Sequence, residues 1–176
     1  MIDAYLRGES EQSDHAIHLL FAANRWELAT QIRGEIEGGK TVIVDRYSFS
    51  GVVYSWAKQN PDLSLEWAWQ PETGLPRPDL LLFLTVSSTE AAKRGGFGEE
   101  RYETSLMQDR VERYFSSLFD MKHACNVLEI DADGSADEVH DRVLDPVLKL
   151  LASDHLQKPL GKMVSWDDLN NGMSEC

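Results

Sequence analysis

The sequence predicts an α/β domain built on a parallel sheet. Short apolar runs alternate along the chain with segments of helical periodicity. One of the runs, "DLLLFLTV" at 79–86, is apolar on both faces, as a central parallel strand must be. The 176 residues suit one domain with a real core, which we expect over 1–152, followed by a polar tail over 153–176.

The first half of the chain is predicted to contain a long helix and two strands. The opening "MIDAYLRGESEQ" is helix-like, and a helix over 14–37 follows, capped by Ser13 and stopped by Gly38-Gly39. The next elements are a short buried strand over 41–45, a helix over 46–58, a short helix and loop over 62–78, and the strand over 79–86.

The second half continues the alternation. We expect a helix over 88–94, a glycine-punctuated loop over 95–103, a helix over 105–123, a strand over 126–131, and a helix from 136 to about 152. The 105–123 helix should bury the apolar side formed by Val111, Tyr114, Phe115, Leu118 and Phe119. The last helix starts with a capping box made by Ser135 and Glu138, and the last two dozen residues should be loosely held.

Composition excludes several classes of function. The net charge is −13, from 17 basic and 30 acidic residues, so the chain is a poor binder of nucleic-acid backbone or anionic membrane. The two cysteines form no disulfide framework, and the five histidines have no metal-ligand spacing. No signal-peptide pattern or membrane span is present, so we expect an intracellular protein without a membrane or nucleic-acid partner.

A first candidate site lies in "VIVDRYSFSG" at 42–51, where a buried strand ends in Asp45 and Arg46. Ligands of open α/β sheets bind beyond the carboxyl ends of the strands. Arg46, Ser50 and Tyr54 follow at i, i+4 and i+8 on one helix face, a plausible grip for phosphate or sugar oxygens. Alternatively, Asp45 and Arg46 cap the helix start and pair with neighbours.

A second candidate is the pair Phe21 and Arg25, spaced i, i+4 within "HLLFAANRWE". An aromatic plane beside a planar cation can stack on a nucleobase and donate to its carbonyl oxygen. The alternative is that Phe21 belongs to the core and Arg25 is an exposed charge paired with a glutamate.

A third candidate is "KRGGFGEERYE" at 93–103. Its glycines and its cations Lys93, Arg94 and Arg101 suit a lid that closes over phosphates. It could equally be a solvated loop, and the nearby Gln108 could complete a capping box with Ser105.

Taken together in order, "LLFAANRWE", "IVDRYSFSG", "GLPRPDLLLFL", "AAKRGGFGEERYE" and "KPLG" resemble eukaryotic thymidylate kinases from residue 2 to about 162. The resemblance implies a P-loop-kinase-like fold with a three-layer parallel sheet and a lid at about 93–104. It implies transfer of the γ-phosphate of ATP, with Mg²⁺, to dTMP, giving dTDP for dTTP biosynthesis.

The resemblance also assigns roles to residues. Arg46 would contact the dTMP phosphate, and Asp45 would organise Mg²⁺ through its waters. The other residues implied to contact dTMP are Phe21 and Arg25 at thymine, Ser50 and Tyr54 in the base and sugar pocket, Tyr102 at the deoxyribose, and Gln108. Those implied to contact ATP are Arg94 and Arg101 in the lid, with Ala132 and Asp133 in the segment 132–135 that borders adenine.

One part of the family pattern is missing. No Gly-x-x-x-x-Gly-Lys occurs in the 176 residues, and "GGK" at 38–40 precedes a strand instead of following one. The implied fold therefore lacks its first strand, its phosphate loop and its second strand, and Met1 resembles an internal methionine of the family. Because the first strand lies between those matching 41–45 and 79–84, we expect this chain to be unstable and to have little kinase activity.

Two other functions are compatible with the sequence. The chain could be a non-catalytic module that binds dTMP or dimerises, through the helices over 14–37 and 46–58 that the family uses to form homodimers. It could also be a related deoxynucleoside kinase, although the Phe21/Arg25 pair argues against that. The family places such a protein in the cytoplasm, with the nucleus as a second location.

Overall fold

The computed structural model describes residues 1–93, 101–102, 104–119 and 126–171. Its α-helices are α1 (Ile2–Leu6), α2 (Asp14–Glu37), α3 (Ser48–Ala57), α4 (Leu65–Trp69), α5 (Ser88–Lys93), α6 (Ser105–Phe119), α7 (Ala136–Leu151) and α8 (Trp166–Asn171). Single 3₁₀ turns follow α4, at Gln70–Glu72, and α7, at Asp154–Gln157.

Two strands form the sheet within the described residues. β1 (Leu81–Thr85) and β2 (Val127–Asp131) are parallel, with Leu81 opposite Val127 and Thr85 opposite Asp131. Both strands were predicted, and a parallel pair requires a crossover connection, which here contains α5 and α6. The α/β class with a parallel sheet is confirmed.

The predicted strand over 41–45 is wrong. Residues 41–44 have no regular secondary structure, and 45–46 form a bend. Ile43 is 91% exposed and Val44 46% exposed. An extended segment becomes a strand only when a neighbour pairs with its backbone, and no described residue does so here.

The long helix is confirmed at the predicted bounds. α2 covers Asp14–Glu37, and the Ser13 hydroxyl accepts a hydrogen bond from the Ala16 amide at 3.3 Å. The helix ends at Gly38, and Gly39 follows with φ = 81°, a backbone conformation that costs glycine little. The predicted helix over 46–58 starts later than expected, at Ser48, because Arg46 has φ = 58° and cannot be helical.

The main core surrounds α3. Its buried face contributes Phe49, Val52 and Val53, each no more than 2% exposed, and packs against α2, α4 and α6. From α6 come three buried residues on the predicted apolar side, Val111, Phe115 and Leu118, while Tyr114 and Phe119 pack against the core at its edge. α3 is therefore a rigid support for any side chain on its other face.

Residues 161–171 pack on the core, although we expected the last two dozen residues to be loosely held. Met163 exchanges backbone hydrogen bonds with the loop before β1, through Leu75 and Gly74, at 2.8 Å each. Met163 and Leu169 are 2% and 3% exposed. Although this segment is polar overall, residues 161–171 present apolar side chains at the positions where they cross the core.

The last large helix of the predicted domain is amphipathic but not covered. The capping box of α7 is present as predicted, with the Ser135 hydroxyl accepting from the Glu138 amide and the Glu138 carboxylate accepting from the Ser135 amide. None of its residues is fully buried, and Leu144 and Leu148 are 39% and 53% exposed.

None of the helices in the described part of the chain is both long and apolar enough to cross a bilayer.

Candidate functional site

The turn after residues 41–44 places Arg46 over an aromatic ring of α3. The Arg46 guanidinium carbon lies 5.3 Å from the centre of the Tyr54 ring. The left-handed backbone at Arg46 is rare for a residue other than glycine and is typical of functional turns. Neither Arg46 nor Asp45 forms an ion pair with another described residue.

Tyr54 joins this turn to the segment before α6. Its ring lies 5.4 Å from the ring of Tyr102, and the Gln108 side-chain amide donates to the Tyr102 carbonyl oxygen at 3.0 Å. Four of the predicted site residues, Arg46, Tyr54, Tyr102 and Gln108, are thus brought into one continuous line of contacts. Gln108 holds the Tyr102 backbone, while the amide of Met107 is capped by the Thr104 hydroxyl.

Arg25 lies against α3 and pairs with Glu72, a residue that no sequence pattern linked to it. Its Nε donates to Glu72 Oε2 at 2.8 Å, and its Nη2 donates to Glu72 Oε1. The guanidinium also lies against Gly51, next to Ser50 on α3. The alternative of a pair between Arg25 and a glutamate is therefore correct in kind, but the pair is buried, with 11% of the Arg25 side chain and none of the Glu72 side chain exposed.

Phe21 and Ser50 are placed less sharply. Both are half-buried, Phe21 one turn before Arg25 on α2 and Ser50 one turn before Tyr54 on α3. Because α2 packs on α3, both residues lie on the pair of helices that also carries Arg25 and Tyr54.

Arg101 is engaged with the N-terminal turn. It donates to the carbonyl oxygens of Tyr5 and Ser10 at 3.1 Å each and to the Glu11 carboxylate at 2.7 Å. Its guanidinium also lies 4.2 Å from the centre of the Tyr5 ring. The hydrogen bond from Arg101 lowers the pKa of the Glu11 carboxyl and raises the pKa of Arg101. In this conformation Arg101 binds the N-terminal turn. Arg94, with most of the predicted lid, lies outside the described residues.

Tyr102 belongs to a second cluster beside that turn. Its hydroxyl lies 3.3 Å from the Tyr5 hydroxyl, and the Lys58 ammonium lies 5.6 Å from the centre of the Tyr102 ring. Lys58 also pairs with Asp14 at 2.9 Å. Burial, and then the hydrogen bond with Tyr5, raise the pKa of Tyr102, so its phenol stays neutral and donates to the Tyr5 hydroxyl. These residues line a cavity of about 330 Å³ with Arg101 and Arg110.

The residues expected near ATP lie at the end of the sheet. Ala132 is 3% exposed, and its amide donates to the carbonyl oxygen of Thr85 at 2.7 Å. The Asp133 carboxylate accepts from the Ser87 amide at 2.8 Å, and the Asp133 carbonyl oxygen accepts from Arg142 at 2.7 Å. The segment is therefore a fixed turn beyond the carboxyl ends of both strands, where ligands of such sheets bind.

Two buried polar groups lie under the site. The Nδ1 atom of His18 is 2.7 Å from the Ser55 hydroxyl, and the His18 side chain is 1% exposed. Burial, and then the positive charge of Arg25, lower the pKa of His18 to about 4, so the ring is neutral at physiological pH. Burial, and then the charge of Glu72, raise the pKa of Tyr47 to about 12.

Sequence reasoning missed Glu72, Gly51 and Lys58. Glu72 is 47 residues from Arg25, in a proline-rich stretch without helical or strand periodicity, so no local pattern joins the two. Gly51 could have been noted as a glycine inside a predicted helix, which usually marks close packing against another group.

Comparison with known proteins decides the family. The family model described as thymidylate kinase matches residues 1–143. The chain belongs to the thymidylate kinase family. Its match with human thymidylate kinase is 43% identical over 168 residues and covers 93% of this chain and 75% of the human protein.

Other thymidylate kinases are similarly close. That of Schizosaccharomyces pombe is 44% identical over 148 residues, covering 83% of this chain and 69% of the yeast protein. The solved structure of thymidylate kinase from Candida albicans superposes with a TM-score of 0.75 at 30% identity, covering 93% of this chain and 79% of the other. The fold is that of the P-loop kinases, and the thymidylate kinase resemblance expected from the sequence motifs is confirmed.

Proposed function

We propose that this chain binds dTMP between α2, the turn at Arg46 and the segment at Tyr102. Within the thymidylate kinase family this is the acceptor in transfer of the γ-phosphate of ATP, giving dTDP. The observation that supports the proposal is the line of contacts from Arg46 through Tyr54 to Tyr102. Arg25 lies beside Gly51, which is one turn before Tyr54 on α3.

Each part of the line suits one part of the nucleotide. Arg46 has no carboxylate partner among the described residues, so its planar cation is available for the phosphate. Tyr54 and Tyr102 are half-buried rings that can pack on the deoxyribose. The Phe21 ring and the Arg25 guanidinium, one turn apart on α2, can take the thymine face and a thymine carbonyl.

Phosphoryl transfer asks the protein to position two anions and to neutralise the charge that develops between them. In a chain with net charge −13, the positive charge that neutralises the phosphates must come from cationic side chains close to them. Arg46 supplies it at the acceptor. Arg94 and Arg101 would supply it at the donor, for which Arg101 would exchange its contacts with Glu11 and Ser10 for the ATP phosphates.

The residues present fit a lightly held Mg²⁺ ion. Asp45 offers one exposed carboxylate, and the described residues contain no cluster of three His, Cys, Asp or Glu side chains. Mg²⁺ in kinases is usually held by one or two carboxylates together with waters and substrate phosphates, so Asp45 through water is sufficient. When bound, the ion would neutralise phosphate charge. At the other end of ATP, Ala132 and Asp133 would border the adenine.

We also propose that phosphate transfer by this chain alone is weak. The sequence has no Gly-x-x-x-x-Gly-Lys to cradle the donor phosphates, and residues 41–44 lack a strand partner among the described residues. These observations favour, as a second candidate, a module that binds dTMP without turnover. Leu19 and Trp26, two turns apart on α2 and 46% and 41% exposed, support homodimerisation through α2 and α3.

One experiment separates the two candidates. The purified chain is titrated with dTMP by calorimetry and then assayed with ATP, Mg²⁺ and dTMP by coupled detection of ADP. Binding without turnover supports the module, whereas turnover at roughly 1–100 s⁻¹, the usual range for kinases, refutes the proposed impairment. Absence of dTMP binding would refute the site itself.

A further inference from the structure

We propose that Glu72 is a positioning residue that fixes the Arg25 guanidinium with one edge toward the nucleotide, so that the site selects a pyrimidine with a carbonyl group over one with an amino group. The inference rests on the proposed dTMP site and deepens it. Glu72 would touch no substrate atom and would act through Arg25.

Glu72 holds Arg25 through two hydrogen bonds. Its two carboxylate oxygens accept from Nε and from Nη2, which is the bidentate, parallel arrangement that fixes the guanidinium plane. A single hydrogen bond would leave the plane free to rotate about the side chain. With Nε and one Nη2 proton engaged, the edge that carries Nη1 is left, and Nη1 has no hydrogen bond to any described residue.

Gly51 of α3 lies against the guanidinium of Arg25. A Cβ atom built on Gly51 would lie 2.6 Å from Arg25 Nη2 and 3.0 Å from both Nη1 and Cζ. Real Cβ atoms essentially never approach another atom to 2.6 Å, so an alanine at position 51 would push the guanidinium end of Arg25 aside. Glu72 holds the Nε and Nη2 atoms, and Gly51 lies close to Nη2 and Nη1, so the two residues together confine the planar cation to one orientation.

Burying the Glu72 carboxylate has an energetic cost. Glu72 is fully buried, and burial raises the pKa of its carboxyl, although the hydrogen bonds from Arg25 act in the opposite direction. Buried ion pairs often contribute less to stability than apolar side chains of similar volume. Orientation of Arg25 is therefore a better reason for a buried glutamate at this position than stability.

The chemical consequence follows from the donor inventory of arginine. Every guanidinium nitrogen is a donor and none is an acceptor. A fixed donor edge matches the carbonyl of thymine or uracil, whereas the amino group of cytosine would place a donor against it and leave both unpaired. A loosely held guanidinium could swing away from the amino group, and discrimination would fall.

The test uses the full chain and measures base selectivity and phosphate binding separately. Wild type, Glu72→Gln, Gly51→Ala and the control Glu66→Gln, which changes an exposed glutamate of α4, are titrated with dTMP and dCMP by calorimetry. Deoxyribose 5-phosphate, which has no base, is titrated by NMR, because NMR measures millimolar affinities. The midpoint of thermal unfolding is recorded for each protein.

We expect Glu72→Gln and Gly51→Ala to weaken the binding of dTMP about tenfold. The ratio of dTMP affinity to dCMP affinity should fall by a similar factor. Binding of deoxyribose 5-phosphate should be unchanged, and Glu66→Gln should resemble wild type. A Glu72→Gln protein with wild-type affinity and ratio would overturn the inference. So would equal losses for all three ligands with a lower unfolding midpoint, since these would indicate a purely structural role.

The second variant keeps the inference testable if Glu72→Gln does not fold. Gly51→Ala keeps both Arg25 and Glu72 in the sequence but displaces the guanidinium, so an unchanged dTMP/dCMP affinity ratio in that variant alone would overturn the inference. The wild-type titration reports on the proposed function: a wild type that does not bind dTMP refutes the site, whereas a wild type that binds it while both variants keep its selectivity refutes only the role of Glu72.

Discussion

The guanidinium of Arg46 lies over the ring of Tyr54, 5.3 Å from its centre, across the start of α3. The strained φ of 58° at Arg46 directs the side chain back over the helix that follows. The contact leaves all the guanidinium donors without a carboxylate partner among the described residues, so the aromatic ring orients the cation without neutralising it.

We expect Arg46→Ala to weaken dTMP binding by about tenfold to a hundredfold, the range for loss of a hydrogen bond to a charged group. Arg46→Lys should recover part of the loss, because it keeps the charge but not the planar, bidentate geometry. Calorimetry with dTMP measures both. The matched control is Arg113→Ala, which removes an exposed arginine of α6 and should leave affinity unchanged; equal affinity of Arg46→Ala and wild type would rule out the phosphate contact.

The buried His18 makes stability depend on pH in a defined window. Its pKa of about 4 in the folded chain lies below the ordinary value of 6.5, so between these values the unfolded chain binds more protons. The free energy of unfolding should therefore rise by about 2 kcal/mol from pH 5 to pH 7 through this residue and stay level above pH 7.

Urea unfolding at the two pH values measures this contribution. His18→Asn should remove it and flatten the difference between pH 5 and pH 7. His140→Asn, which changes an exposed histidine of α7, should leave the difference as in wild type. A His18→Asn variant that keeps the full pH dependence would show that another group is responsible.

The uncovered segment before the Arg46 turn should promote self-association. Ile43 is 91% exposed and the adjacent Val44 is 46% exposed, and Leu84 and Val86, at the end of β1 and just after it, are 49% and 41% exposed. Exposed apolar residues beside an unpaired extended backbone favour edge-to-edge pairing between chains. Ile43→Lys should reduce concentration-dependent aggregation, measured by light scattering. Thr41→Lys adds the same charge without removing an apolar side chain, and an equal effect there would show that net charge alone is responsible.

The capping box of α7 should be measurable by itself. Ser135→Ala removes the acceptor for the Glu138 amide at the helix N-terminus and should lower the free energy of unfolding by about 1 kcal/mol. Urea unfolding checks this against Ser116→Ala, in the interior of α6, which should be neutral or slightly stabilising because alanine is the better helix former. Equal effects of the two changes would mean that α7 contributes little to the cooperative unit.

Local signals predicted most of the elements. Ser13 and the paired glycines at 38 and 39 mark the ends of α2, and Ser135 with Glu138 marks the start of α7. Capping and turn preferences depend on a few adjacent residues, so they can be read from the sequence. The ordered motifs also predicted the family, which the comparisons confirmed.

The predictions that were wrong involve contacts distant in sequence. The apolar run at 41–45 has strand composition, but strand formation depends on a partner, and none pairs with it within the described residues. The C-terminal segment is polar on average, yet Met163 and Leu169 dock on the core because the loop at 74–77 provides backbone partners. Average polarity does not reveal such docking.

The sequence by itself determined the α/β class, the ends of α2, the start of α7 and the family, because capping, periodicity and motif order are properties of neighbouring residues. Only the tertiary structure decided that Glu72 holds Arg25, that Arg101 braces the N-terminal turn, and that Arg46 lies over Tyr54. Those contacts join residues up to 96 positions apart, as between Arg101 and Tyr5, and packing of helices selects them from many combinations that the sequence permits equally.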